Sequence, residues 1–206
     1  LAVLDKIKPV LEEGLSARTI EFTPEEEKIV KSLFLLTTKP VLYVANVSED
    51  EVADPDNNEY VQQVRNFATS ENAEVIVVSA RAEEEIAELD SEEDKAEFLE
   101  AMGIEQSGLD QLIRAAYDLL GLATYFTAGE QEVRAWTFRK GIKAPQAAGI
   151  IHSDFERGFI RAETVSYEDL DKYGNMQAAK EAGRVRLEGK DYVVQDGDVM
   201  LFRFNV

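Results

Sequence analysis

The sequence predicts two fold classes in one chain, an α/β segment followed by a smaller α+β, β-grasp-like module, and three observations carry that prediction. Two short apolar runs, Val41 to Val47 and Val75 to Val78, flank a stretch of helical periodicity, the pattern of a βαβ unit with strands buried on both faces. After Gly121 the texture changes to short segments of alternating polarity, the period of half-buried strands. Charge changes at the same place. Of the net −19 carried by 206 residues, almost none belongs to residues 124–206, which hold 13 acidic and 12 basic side chains and leave 28 and 10 for residues 1–123.

The elements follow in order. Leu1, Leu4, Ile7, Lys8 and Leu11 share one face of a first helix, and a chain that enters on helical periodicity without Met looks cut from something longer. Thr23, Pro24 and Glu26 signal the cap, first residue and capping-box partner of a second helix, which should stop before Lys39-Pro40. The crossover helix runs from Asn58 to Ser70, with Val61, Val64, Phe67 and Ala68 inward. An acidic helix or pair of helices covers about Arg81 to Met102. An amphipathic helix over about Gly108 to Leu120 then turns Leu109, Leu112, Ile113, Ala116, Tyr117 and Leu120 inward. In the second module, strands are expected at Val133 to Phe138, Phe159 to Val165, Tyr192 to Val194 and Val199 to Phe204, with a short helix from Pro145 to His152. Alternation puts Arg134, Trp136 and Phe138 on one strand face and leaves Arg139 to Lys143 for the following turn.

Composition removes several function classes. With no cysteine there is no disulfide, thiolate nucleophile or Cys-based zinc site. The single histidine, His152, reads as a hydrogen-bonded structural imidazole, and an acid/base enzyme built on His152, Asp154 and Glu156 would lack a nucleophile motif. No catalytic residue and no metal ligand is assigned. The acidic stretches Glu83-Glu84-Glu85 and Ser91-Glu92-Glu93-Asp94 read as solvated helix faces and a helix N-terminus. The longest apolar runs are far below the roughly 20 residues that cross a bilayer, and nothing at the N-terminus resembles a secretory signal, so the expected address is cytoplasmic.

Two short motifs sit where open α/β sheets bind ligands, at the carboxyl ends of strands. Asn46, Val47, Ser48 and Glu49 follow the first apolar run, and Ser79 and Ala80 follow the second, 33 residues on. Each alone is also a common turn or helix cap. A phosphate-binding loop of the Gly-x4-Gly-Lys-Ser/Thr type does not occur: Gly189-Lys190 has the wrong spacing, and Asp171-Lys172-Tyr173-Gly174 fits Asp-x-x-Gly only by chance. One stretch is locally basic and aromatic, Arg134, Arg139, Lys140 and Lys143 with Trp136 and Phe138 between them. It suits RNA backbone and bases, or a strand with a solvated basic end.

The segments Val44 to Glu51, Thr124 to Phe138, Ile151 to Glu163 and Lys190 to Val206, together spread over the whole chain, resemble the Obg-like ATPase family of the YchF/EngD type. The resemblance implies a returning helical-arm segment over 1–36, the C-terminal part of a P-loop, G-domain-like ATPase domain over 37–123, and a β-grasp TGS domain over 124–206. It places the family's Asn-x-x-Glu base motif on Asn46 and Glu49 and its Ser-Ala motif on Ser79 and Ala80, and the family prefers ATP to GTP. ATP or GTP with Mg²⁺ is the cofactor implied for an intact parent, and none is expected for this chain alone, which should be inactive by itself. The TGS resemblance implies ribosome or RNA as partner, and no membrane. The competing reading is a nucleotide-independent fragment that docks on RNA or protein through the second module.

Overall fold

The computed structural model describes residues 2–129 and 132–205; Leu1, Glu130, Gln131 and Val206, used above on the first helix face and in two family-like segments, lie outside the described residues. The chain forms two compact units, 1–119 and 120–206. The second begins a few residues before the expected module because Leu122 and Ala123 already belong to its first strand.

In the first unit, α1 (Ala2–Glu12) buries Val3 and Ile7 with Ala17 and with Val30 of α2 (Pro24–Ser32). The capping box forms as expected: Glu26 N–H donates to Thr23 Oγ1 at 3.3 Å and Thr23 N–H to Glu26 Oε2 at 2.9 Å. The helix ends at Ser32, well before Lys39-Pro40, because Phe34 adopts φ 51°, a left-handed conformation that an α-helix does not pass through. Strands β1 (Leu42–Asn46) and β2 (Glu74–Val78) pair in parallel, Leu42 opposite Glu74 and Asn46 opposite Val78. They are joined by α3 (Glu59–Ser70), whose cap Asn58 accepts from Tyr60 N–H at 2.9 Å and Val61 N–H at 3.1 Å.

Burial on two faces holds for Ile76 and Val77 of β2 but not for β1, where Val44 is 47% exposed on one face of a two-stranded sheet. The acidic stretch is a pair of helices, α4 (Ala80–Ala87) and α5 (Glu92–Met102). In α6 (Gly108–Leu119) the expected inner face is met in part: Leu112, Ala116 and Tyr117 are half-buried, whereas Leu109, Ile113 and, beyond the helix end, Leu120 are exposed, and the buried positions are Gly108 and Ala115, two turns apart. Gly108 sits so close to Val78 that a Cβ there would fall 2.6 Å from Val78 Cγ1, so the helix meets the strand end through a residue without a side chain.

The second unit is a five-stranded mixed sheet of order β4-β3-β7-β5-β6. Its elements are β3 (Leu122–Ala128), β4 (Val133–Arg139), α7 (Ala144–Ile151), α8 (Ser153–Arg157), β5 (Phe159–Ser166), α9 (Tyr167–Tyr173), α10 (Met176–Glu181), β6 (Arg186–Glu188) and β7 (Asp198–Phe204). The pairing of β3 with β7 is parallel and the other pairs are antiparallel. Residues of alternating parity serve the two faces. Tyr125, Phe138, Phe159, Met200 and Phe202 pack against Ala144, Ala147 and Ala148 of α7, alanines small enough to let the helix lie close. On the other face Val165 and Val199 pack with Ala179 of α10 and with Leu170 and Tyr173 of α9.

This unit departs from the sequence expectation in several places, and β6 and the helices α8, α9 and α10 are elements beyond the strands and the one short helix expected. Leu122 to Ala128 is a strand that the alternation count passed over. Tyr192 to Val194 is not one, contributing only an isolated bridge between Val193 and Lys143. Its backbone bonds to the entry of α7, Ala144 N–H to Tyr192 O at 2.9 Å and Val194 N–H to Ile142 O at 3.1 Å, and the buried Asp198 carboxylate accepts from Tyr192 O–H at 2.7 Å and Gln195 N–H at 2.9 Å. Finally, Arg139 closes β4 opposite Leu122 and does not belong to the turn.

Candidate functional site

The parallel register brings the two short motifs together. Asn46 and Val78 are partners at the ends of β1 and β2, and Val47 N–H extends the ladder by one bond to Val78 O at 2.9 Å. Beyond that bond the strands give way to a loop and a helix. Ser79, 1% exposed, is the N-cap of α4, its Oγ facing Ala82 N–H at 3.5 Å. Ala80 N–H would be an orphan donor at the first turn, and the Asn46 side chain accepts it through Oδ1 at 2.9 Å. One side-chain amide therefore ties the end of the first strand to the start of the helix after the second, and Asn46 remains exposed.

Ser48 and Glu51 hold the loop that carries Glu49. Ser48 Oγ donates to Glu51 Oε2 at 2.7 Å, and Asn58 Nδ2 donates to Glu51 Oε1 at 2.8 Å. These bonds, the one from Ser48 first, keep the Glu51 carboxyl below its ordinary range. Glu49 itself is half-buried. Its Oε1 is closed to solvent without an aligned hydrogen-bond donor, although Arg81 Nε lies 2.9 Å away in ion-pair range. Arg81 also approaches Glu85 Oε1, one turn along α4, at 3.7 Å.

Two carboxylates elsewhere in the first unit, Glu83 and Glu71, hold structure together. Glu83 reaches the first turn of α6, accepting Gly108 N–H at 2.6 Å and Leu109 N–H at 3.1 Å, a placement that the dipole of that helix favours. Glu71, 9% exposed, accepts from Ser16 Oγ at 2.5 Å, Tyr43 O–H at 2.5 Å and Arg18 Nη1 at 2.9 Å. The Ser16 and Tyr43 bonds hold its carboxyl below the usual range, and Glu71 in turn raises the Tyr43 hydroxyl. No local motif announces this hub, because its members lie 28 to 55 positions from Glu71. It borders a cavity of about 400 Å³ lined by Arg18, Phe22, Val30, Pro40 and Ala73. Pro40 and Ala73 precede β1 and β2, so this cavity lies at the opposite strand ends from Asn46 and Ser79 and has no part in that site.

The basic stretch is not one patch. Arg134 and Arg139 have opposite parity in β4 and stand five residues apart, about 17 Å along a strand. Arg134 lies over the Trp136 ring at 4.1 Å, and Lys143 pairs with Asp191 at 2.7 Å. Arg139 and Lys140 are exposed at the open end of the β3–β4 hairpin, away from its turn, where Lys140 N–H bonds to Gly121 O at 2.8 Å. His152 is the N-cap of α8, its Nδ1 accepting from Asp154 N–H at 3.2 Å. Gly174, the last residue of the Asp-x-x-Gly match, terminates α9 with φ 78°. Among the described residues no cluster of three or more His, Asp or Glu is placed to hold a metal ion, and no helix is long and apolar enough to cross a membrane.

Comparison with known proteins places these features in a family context. The family described as YchF-GTPase_C, a protein of unknown function (DUF933), matches residues 122–205. The ribosome-binding ATPase YchF of Bacillus subtilis (strain 168) is 70% identical over 204 residues, covering 99% of this chain and 56% of that protein. Its namesake from Haemophilus influenzae is 55% identical over 206 residues, 100% of this chain and 56% of the relative. The solved structure of the Schizosaccharomyces pombe YchF GTPase is similar with a TM-score of 0.85 and 36% identity, over 98% of this chain and 53% of that one. The chain thus spans just over half the length of the relatives it matches.

Proposed function

The chain belongs to the YchF family, as the C-terminal part of its members, and from that premise we propose that it is the base-reading edge and interaction module of a P-loop ATPase that binds ATP in preference to GTP and works on the ribosome. The observation that carries the nucleotide half is the 2.9 Å bond from Ala80 N–H to Asn46 Oδ1. It joins the Asn-x-x-Glu and Ser-Ala motifs into one constellation at the carboxyl ends of two parallel strands, where such sheets bind ligands.

The residue types suit a purine. A carboxylate is an acceptor, so Glu49 selects for N–H groups on the base edge. Guanine presents two adjacent donor groups there, which a shorter Asp beside a Lys would accept. Glu49 is one methylene longer and Val47 supplies no cation, so the edge favours adenine with its single exocyclic amine. The closed-off Glu49 Oε1, lacking an aligned donor, fits such a partner. These residues suit the base end only. The phosphates and Mg²⁺ would be held by a Gly-x4-Gly-Lys-Ser/Thr loop, which this sequence does not contain; that group would neutralise charge developing on the phosphoryl oxygens during hydrolysis.

The second unit is the proposed TGS module, of β-grasp type, supported by its five-stranded mixed sheet with α7 across one face. The end of β4 and its turn into α7, with Arg139, Lys140 and Lys143, contact RNA phosphate in this reading, and Arg134 stacked on Trp136 forms a separate feature about 17 Å away. The ribosome as partner comes from the description of the Bacillus and Haemophilus relatives as ribosome-binding ATPases, and a cytoplasmic address follows from it.

The test is purine selectivity in the full-length protein. Val47→Lys with Glu49→Asp restores an Asn-Lys-x-Asp arrangement and should shift preference toward GTP by about 1–3 kcal/mol, the scale of one bidentate base contact. Equilibrium titration of ATP and GTP reads this directly. An unchanged ATP/GTP ratio refutes Asn46 to Glu49 as the base reader and favours the nucleotide-independent alternative for this segment.

A further inference from the structure

We propose that Arg81 sets base specificity at this site by covering the Glu49 carboxylate, so that an amine-bearing purine must displace it; the proposal rests on the reading of Asn46 to Glu49 as the base reader. Glu49 Oε1 is shut off from water, yet no donor is aligned on it. The group beside it is the Arg81 guanidinium, with Nε at 2.9 Å. Contact at that distance without alignment excludes solvent and leaves the oxygen short of a hydrogen bond, an arrangement a better-directed N–H donor would improve.

Arg81 is well placed to yield. Its side chain is 76% exposed, against 34% for Glu49, so it is held from one side only. A second carboxylate, Glu85, already lies 3.7 Å from the same Nε on the same helix face. When an exocyclic amine takes Glu49 Oε1, the guanidinium can move to Glu85 and remain ion-paired. Glu85 is thereby part of the device, because it lowers the cost of the exchange. A purine with no amine leaves Arg81 where it is and gains nothing from Glu49. Arg81 immediately follows the Ser79-Ala80 motif, and the Asn46–Ala80 bond fixes the start of its helix relative to the loop that bears Glu49.

The pair is exposed on its Arg81 side, so the effect belongs to the range of surface ion pairs, up to about fivefold in affinity. ATP and purine riboside triphosphate carry the same phosphates and differ in the 6-amine, so the ratio of their affinities isolates the base edge from the general attraction of a cation for a polyanion. The experiment is equilibrium titration of both nucleotides in the full-length protein with Arg81→Ala, Glu85→Gln, Glu49→Gln and the Arg81→Ala/Glu49→Gln pair. Arg81→Ala should raise the preference for ATP by up to about fivefold, and Glu85→Gln should lower it. Glu49→Gln should reduce the preference and leave Arg81→Ala without further effect. If Arg81→Ala changes nothing while Glu49→Gln still lowers the ratio, Arg81 is a bystander and the base reading survives. If Glu49→Gln leaves the ratio unchanged, Arg81 has no base reader to cover, and the base reading and this inference fall together.

Discussion

Replacing Glu71 by Gln should cost the first unit about 3 kcal/mol, a figure that follows from the three donors gathered on one carboxylate. Ser16 Oγ, Tyr43 O–H and Arg18 Nη1 all donate to it, and the Arg18 side chain is only 16% exposed. Hydrogen bonds to a charged group contribute about 1 kcal/mol more than neutral ones, so neutralising the acceptor weakens three bonds at once. Gln also turns an NH₂ toward donors, which Ser16 can accommodate by rotating its hydroxyl. Urea unfolding followed by far-UV circular dichroism reads the loss, while the single tryptophan, Trp136, reports the second unit separately by fluorescence. The acid limb gives a second signature. Glu71 is held below the ordinary carboxylate range, so its contribution is complete above the unfolded value of about 4.3 and is lost as pH falls through the lower native value. The gap between wild type and Glu71→Gln should therefore hold constant near neutrality and close in acid. A loss below about 1 kcal/mol, or a gap that widens as pH falls, would refute the hub.

Two further perturbations address the second unit. Thr164 is fully buried in β5 with an Oγ1 that has no hydrogen-bond partner, so Thr164→Val should raise stability by about 1 kcal/mol in Trp136-monitored unfolding; a loss would show that the hydroxyl is satisfied. Replacing Arg139, Lys140 and Lys143 by Gln should leave that transition within about 0.5 kcal/mol and weaken ribosome co-sedimentation of the full-length protein with a flatter salt dependence. Unchanged binding across the salt series would reduce the turn from β4 into α7 to a solvated one.

Much of this organisation is legible in the sequence because its signals are local. The Thr23–Glu26 box, the crossover helix from about Asn58 to Ser70 and the existence of the two apolar strands are each specified within a few residues, and the structure contains all three. What is illegible depends on distant partners. The burial of Gly108 at the start of α6 follows from its meeting Val78 on β2, a contact that the hydrophobic pattern of the helix does not announce. Tyr192 to Val194 has strand composition, but its backbone pairs with Ile142 and Ala144, on either side of a single bridge to Lys143. At the candidate site the motifs were visible one at a time. Their union through Asn46 and Ala80 required the strand register, and the role of Arg81 required the distance to Glu49. The basic stretch shows the opposite failing, since residues clustered in sequence are separated by the length of a strand.

The measurement that bears most directly on the central claim is photolabelling of the full-length protein with 8-azido-ATP, followed by peptide mapping. The azide sits on the base, so the label reports base contacts rather than phosphate affinity. Label on residues 44–49 or 78–82, removed by excess ATP and weakened by Asn46→Ala, is the result expected if Asn46, Glu49, Ser79 and Ala80 form the base site. ATP-protectable label confined to other segments, with both of these left unmodified, would contradict it.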